Sequence, residues 1–186
     1  MAQRQGFARW QPGPLELVLQ RGIFAGFGAA AVMGVFAMLS SATYGGRGFF
    51  TPAYHVAFII DPNTLGQSLQ KAQGGDRFFF SQEAFVFGMA AHVMVGAFFG
   101  ALFAVLAVRL HLRDRQAIVA GLIYGLAVLV IMSALALPAA ANMSGAGEAI
   151  SRMGGEIGWP TWVVLHAIFG LALGTWIYVR PQDLEG

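Results

Sequence analysis

Inside the long charge-free runs of this chain lie two imidazole side chains, His92 and His166. Ionisable groups at such positions commonly mark ligand, ion or cofactor sites. Each histidine opens the same pattern, His92-Val-Met-Val-Gly96-Ala-Phe-Phe-Gly100 and His166-Ala-Ile-Phe-Gly170-Leu-Ala-Leu-Gly174. Two imidazoles at comparable depth on parallel helices could hold a b-type haem, with the glycines making room for the porphyrin and Arg47, Arg77 or Arg152 near its propionates. Together with the thioethers of Met89, Met94 or Met132, the imidazoles would instead suit copper. The simpler alternative is a neutral histidine donating to a carbonyl, or to Ser40, Ser41 or Ser133, on a neighbouring helix.

Other chemistry is short of candidates. The chain contains no cysteine, so thiolate catalysis, iron–sulfur ligation and disulfide staples are excluded. No Asp or Glu lies inside a run, which leaves a carboxylate proton relay or an ion-selective ring without members. Ser40 and Ser41 lack a base-and-acid pair, and neither a phosphate-binding glycine loop nor a zinc motif is present. These absences point to a protein that is not an enzyme. Glu83 reads as first-turn charge at the start of a helix; His55 and His111 read as loop or interface residues. The net charge of +2 comes from basic residues scattered at the ends of the runs, a topology signal and not a nucleic-acid surface.

The elements that must position the histidines follow from composition. Hydrophobic residues make up 57% of the chain and charged residues 11%, against roughly a quarter charged in soluble domains, so the solvent is lipid. About 20 apolar residues cross the hydrocarbon, and four runs qualify: Gly22 to Gly46, Ala84 to Val108, Gln116 to Gly147 and Ile157 to Val179. With their flanks they predict helices over about 17–43, 82–110, 115–138 and 160–180, the third ended by Pro138. The fold class is therefore an all-α membrane protein with one transmembrane domain, residues 15–180, between a polar tail, 1–14, and a short tail, 181–186. Trp159, Trp162, Trp176 and Tyr178 flank the last run and Phe78 to Phe80 precede the second, as headgroup anchors do. Arg4, Arg9, Arg21, Arg109, Arg113, Arg115 and Arg180 fall on one side, which places both termini in the cytoplasm. No cleavable signal peptide is evident, since the first apolar run follows a polar tail and is too long for a signal core. The first outer loop carries an amphipathic stretch after Pro62, Asn63 to Gln73, which predicts a short interfacial helix.

Two further patterns organise the runs. Gly22-Ile-Phe-Ala-Gly26 with Met33 in the first matches Gly121-Leu-Ile-Tyr-Gly125 with Met132 in the third, while the two histidine patterns match the second to the fourth. The chain reads as two tandem helical hairpins. Small residues four apart let backbones approach closely, so Gly22, Gly26, Gly88, Gly96, Gly100, Gly121, Gly125, Gly170 and Gly174 are expected at helix contacts, with the two histidine-and-glycine stripes facing each other. The outer-loop segment Gly45-Gly-Arg47-Gly-Phe49-Phe50-Thr-Pro52 reads as a turn whose Phe pair inserts at the interface and whose Arg47 meets lipid phosphate or a partner carboxylate. A docking or lid element is its functional alternative.

As a set, Gly-Arg-Gly-Phe-Phe-Thr-Pro at 46–52 and the two His-x-x-x-Gly-x-x-x-Gly helices at 92–100 and 166–174 resemble an uncharacterised family of short bacterial four-helix membrane proteins, some of them labelled permease. The resemblance spans Gly22 to Val179; it implies a bacterial inner-membrane location and supplies no activity. The functional expectation is a subunit or an assembly and stabilising factor that packs against itself or other membrane subunits amid membrane lipids. A haem b electron-transfer subunit and a small oligomeric transporter are the alternatives.

Overall fold

In the computed structural model, which describes residues 14–145 and 147–179, the described residues form helices joined by short turns, with no strand among them. The polar tail, apart from Pro14, lies outside this description, as do Arg180 and the tail 181–186. In chain order the helices are α1 (Pro14–Ala42), α2 (Thr51–Ala57), α3 (Pro62–Gln73), α4 (Gln82–Arg109), α5 (Asp114–Ile131), α6 (Leu137–Ser144), α7 (Glu148–Ser151), α8 (Met153–Ile157) and α9 (Trp159–Val179). Leu15–Ala42, Gln82–Arg109 and the continuous run Arg115–Ser144 span 28, 28 and 30 residues, long and apolar enough to cross a membrane. Their outward faces carry exposed Phe24, Phe27, Phe98, Ile123 and Leu135, an apolar surface suited to lipid.

The long helices associate as two antiparallel pairs, α1 with α4 and α5 with α9, and α1 also lies along α9. Glycine sets the pairing. A Cβ on Gly26 would collide with the carbonyl oxygen of Gly96, and one on Gly100 with the backbone of Gly22 and Gly26. In the second pair Gly121 and Gly170 each abut the other's carbonyl, Gly125 meets the carbonyl of His166, and Gly174 that of Ala117. Lipid chains cannot fill such flat backbone contacts as well as a second helix does. The two histidine-bearing stripes therefore do not face each other: each is spent on its own antiparallel mate. Gly88 serves a third contact, receiving the Ala53 carbonyl of α2.

The third apolar run does not end at Pro138. A π-helical turn, Met132–Ala136, joins α5 to α6, with the Leu137 N–H reaching back to the Met132 carbonyl. Proline removes one helical donor and crowds the carbonyl four residues before it; the wider π turn relieves that crowding and lets the helix run on to Ser144. The sharp connection from α4 to α5 carries exposed His111 in the left-handed region at φ 51°.

The segment between α1 and α4 folds into a cap. Gly46, at φ 64°, turns the chain so that Gly45 N–H donates to Ser40 O at 2.9 Å and Arg47 N–H to Ser41 O at 3.0 Å, closing the end of α1. The Ser41 hydroxyl donates to Gly48 O at 2.8 Å, and Pro52 starts α2. The predicted helix after Pro62 is present as α3, N-capped by Asp61, which accepts from Thr64 N–H at 3.2 Å. Thr51 and Ser68 hydroxyls, 2.8 Å apart, bind α2 to α3. The Tyr54 hydroxyl accepts from Ser81 N–H at 2.8 Å and donates to Phe79 O at 3.2 Å, tying α2 to the approach of α4.

Candidate functional site

Between the helix pairs, at the end covered by the cap, lies a cavity of about 440 Å³, within the size range of small-molecule sites. α1 contributes Ala30, Met33, Gly34 and Met38; α4 contributes Met89, His92, Val95 and Phe99; α9 contributes Trp162, Leu165, His166 and Phe169. Met132 and Ala136 of the π turn form the facing wall, with α2 (Pro52, Ala53, Val56) above. Its origin is steric. On the far side, the Tyr124 hydroxyl of α5 donates to Phe99 O of α4 at 2.7 Å and its ring packs on Phe103 with centroids 4.9 Å apart. Past that contact small residues, Gly34, Ala91, Ala136 and Ala140, do not fill the space between the pairs. Val95 and Phe98 line the cavity yet are exposed, which puts its mouth on the flank of α4.

Both sequence-predicted histidines border this cavity, but their bonding differs. His92 Nε2–H donates to the Ala30 carbonyl of α1 at 3.0 Å, a bond between helices of the kind the sequence allowed. His166 Nδ1–H donates to the Trp162 carbonyl within its own helix at 2.9 Å, and the indole packs edge-on against its ring at 4.5 Å. Ser133, expected as a histidine partner, instead accepts Trp162 Nε1–H at 3.0 Å. Each carbonyl can only accept, so these contacts fix the tautomers: the remaining nitrogens, His92 Nδ1 and His166 Nε2, carry lone pairs.

Haem b does not fit these walls. The ring nitrogen most used for axial ligation on His92 is committed to Ala30, and no Arg or Lys lines the cavity to meet propionates. Arg77 Nη1 donates to Ala42 O at 3.0 Å, and Arg152 pairs with Glu148 at 3.1 Å. The sulfur set suggested for copper divides, since Met89 and Met132 line the cavity while Met94 is 66% exposed. Among the described residues no cluster of three His, Asp or Glu could hold a metal ion.

The Gly45 to Pro52 motif lies in the cap. Phe49 and Phe50 pack on each other and reach Phe78, Phe80 and Phe85, so the pair builds an aromatic cluster. Arg47 borders a small pocket of about 30 Å³ with Ser40, Thr51 and His55. His55 is no loose loop residue. At 3% exposure it donates from Nδ1 to Thr51 O at 3.1 Å, and burial pushes its pKa down to about 4, with the Arg47 charge adding to the effect against the Thr51 bond. Tyr54, Thr51 and Ser68, which hold the cap together, carried no spacing signal in the sequence. Trp162 had one, its place four residues before His166 on the same helical face. No family model, curated protein or solved structure matches the chain.

Proposed function

We propose that this chain is a non-enzymatic membrane protein of four spans, α9 being the fourth, built as two tandem hairpins that enclose a binding chamber for a membrane-soluble molecule. Its place would be that of a binding subunit, in a homo-oligomer or beside other membrane subunits. The observation that carries this reading is the cavity of about 440 Å³ with apolar walls and a mouth on a lipid-suited flank. Five methionines, Met33, Met38, Met89, Met132 and Met153, line it, and unbranched thioether side chains adapt to varied apolar guests. A span assignment for α9 is supported by its 21 residues, about 31 Å of helix at 1.5 Å per residue, and by its glycine-to-carbonyl contact with α5. The hairpin repeat is supported by the same glycine spacing serving both pairs, and the family resemblance in the sequence agrees with it.

A photoreactive alkyl probe supplied to the protein in nanodiscs tests the chamber. Labelling should concentrate on Met89, Val95 and Met132, and should fall several-fold in Gly34→Leu. A Cβ at Gly34 meets only ordinary contacts, Met89 Cε at 3.5 Å and His92 at 3.6 Å, so the longer side chain fills the cavity without forcing the backbone. Labelling spread evenly over exposed positions such as Phe24 and Ile123, unchanged in Gly34→Leu, would sink the proposal.

A further inference from the structure

The walls of this cavity accept hydrogen bonds and donate none. Three lining side chains carry an N–H, and each is already used: His92 gives its proton to Ala30 O at 3.0 Å, His166 to Trp162 O at 2.9 Å, and Trp162 to Ser133 Oγ at 3.0 Å. No carboxylate, ammonium or guanidinium lines the space, and an imidazolium so placed would lose more hydration than its surroundings return, so both rings are neutral. A neutral imidazole holds one proton and one lone pair. What remains on these two lining rings are acceptor nitrogens, His92 Nδ1 and His166 Nε2, the latter on a residue that is 3% exposed.

From this donor–acceptor balance, which rests on the chamber proposed above, we infer that the guest is a lipophile bearing a hydroxyl, whose O–H donates to one of these nitrogens. A guest whose polar group is a ketone, ester or ether oxygen brings a second acceptor to acceptor walls. Such a group would leave the hydrated bilayer interface for an unpaired site, whereas the hydroxyl exchanges one hydrogen bond for another.

Matched ligands test the inference. Dodecanol and undecyl methyl ether have the same heavy-atom chain and differ in whether the oxygen carries a proton. Titrated into the protein in nanodiscs, with empty nanodiscs subtracted for partitioning, the alcohol should bind roughly two- to tenfold tighter, the effect of one net hydrogen bond. In His166→Leu, which keeps an apolar wall, the alcohol should lose that advantage while ether affinity holds; His92→Leu serves as the second arm. Equal binding of the two ligands to the unaltered protein overturns the inference and leaves the chamber standing. Saturable binding of neither ligand overturns both. A preference that survives when His92→Leu and His166→Leu are combined shows that the imidazoles are not the acceptors and also overturns it.

Discussion

The two helix pairs use one device in two settings. In α1 and α4, Gly26 abuts the carbonyl of Gly96; in α5 and α9, Gly125, its counterpart by sequence spacing, abuts the carbonyl of His166 and not that of Gly170. The second pair is thus slipped by one helical turn against a strict copy of the first. The histidines register that slip. His92 lies opposite Ala30 and bonds across to it, whereas His166 sits level with Gly125 and turns its N–H to Trp162 in its own helix. One imidazole staples two helices and the other is held by one, yet both reach the same cavity. Equal motifs therefore carry unequal duties, and the inequality arises from register, not from residue type.

Substituting the contact glycines should break both pairs most severely. Gly26→Ile and Gly170→Ile each drive a branched side chain into backbone atoms of the facing helix, and overpacking of this kind costs about 3 kcal/mol or more when neither backbone can give. Gly28→Ile is the control, since a Cβ there meets nothing within 4 Å. Thermal stability in detergent should collapse for the first two variants and hold for the third. A tolerant Gly170→Ile beside a ruinous Gly26→Ile would show that the second pair is held by something other than its glycines.

Acid should separate the ends of the two pairs. The segment joining α1 to α4 buries His55 as a neutral ring with a pKa of about 4, against 6.5 when freed. Above pH 6.5 neither state binds the proton and the cap has its full stability. As the pH falls from 6.5 toward 4 the opened state takes up a proton that the closed one refuses, and stability drops by about 3 kcal/mol before levelling off below pH 4. Arg47 beside the ring sharpens the penalty. The segment joining α6 to α9 buries Ile150 and Met153, and its Glu148–Arg152 pair is exposed and contributes little. Hydrogen exchange, corrected for intrinsic rate, should show α2 losing protection over this window while α7 and α8 keep theirs. Parallel behaviour of the two segments would remove His55 as the cause.

Much of this architecture is legible in the residue order because its causes are local. Charge-free runs of adequate length can only be helices where water is scarce, arginines mark the turn at Leu110 to Arg113, and Pro62 with the amphipathic stretch Asn63 to Gln73 announces α3. What escapes is what distant contacts decide. Pro138 looks like a stop because its effect on the preceding carbonyl is local, while the π turn that absorbs it is permitted by packing around Trp162 and Ser133. Glycine stripes on α4 and α9 identify faces that pack without naming their partners, so the expectation that they meet each other was as consistent with spacing as the observed pairing with α1 and α5. The histidines could be singled out from sequence, and their shared cavity could not: it depends on where α4 and α5 part company past Tyr124, and on α2, whose Thr51 and Tyr54 give no periodic signal.

The finest test of the comparison lies in the histidines themselves. If His92 staples α1 to α4, His92→Leu removes a bond between helices, and such bonds in lipid contribute about 0.6 kcal/mol and at most about 1.7. The Ala30 carbonyl keeps its helical partner, so no orphan is left to enlarge the loss. His166→Leu removes a bond to the Trp162 carbonyl inside one helix, which contributes nothing to the contact between α5 and α9, and the change in stability should stay within a few tenths of a kcal/mol. Measured side by side by equilibrium unfolding, the first variant should lose more than the second, while alcohol binding shows the reverse sensitivity if His166 Nε2 is the principal acceptor. Equal losses of stability would mean that the one-turn slip has no energetic consequence, and the two imidazoles would then be interchangeable walls of the same chamber.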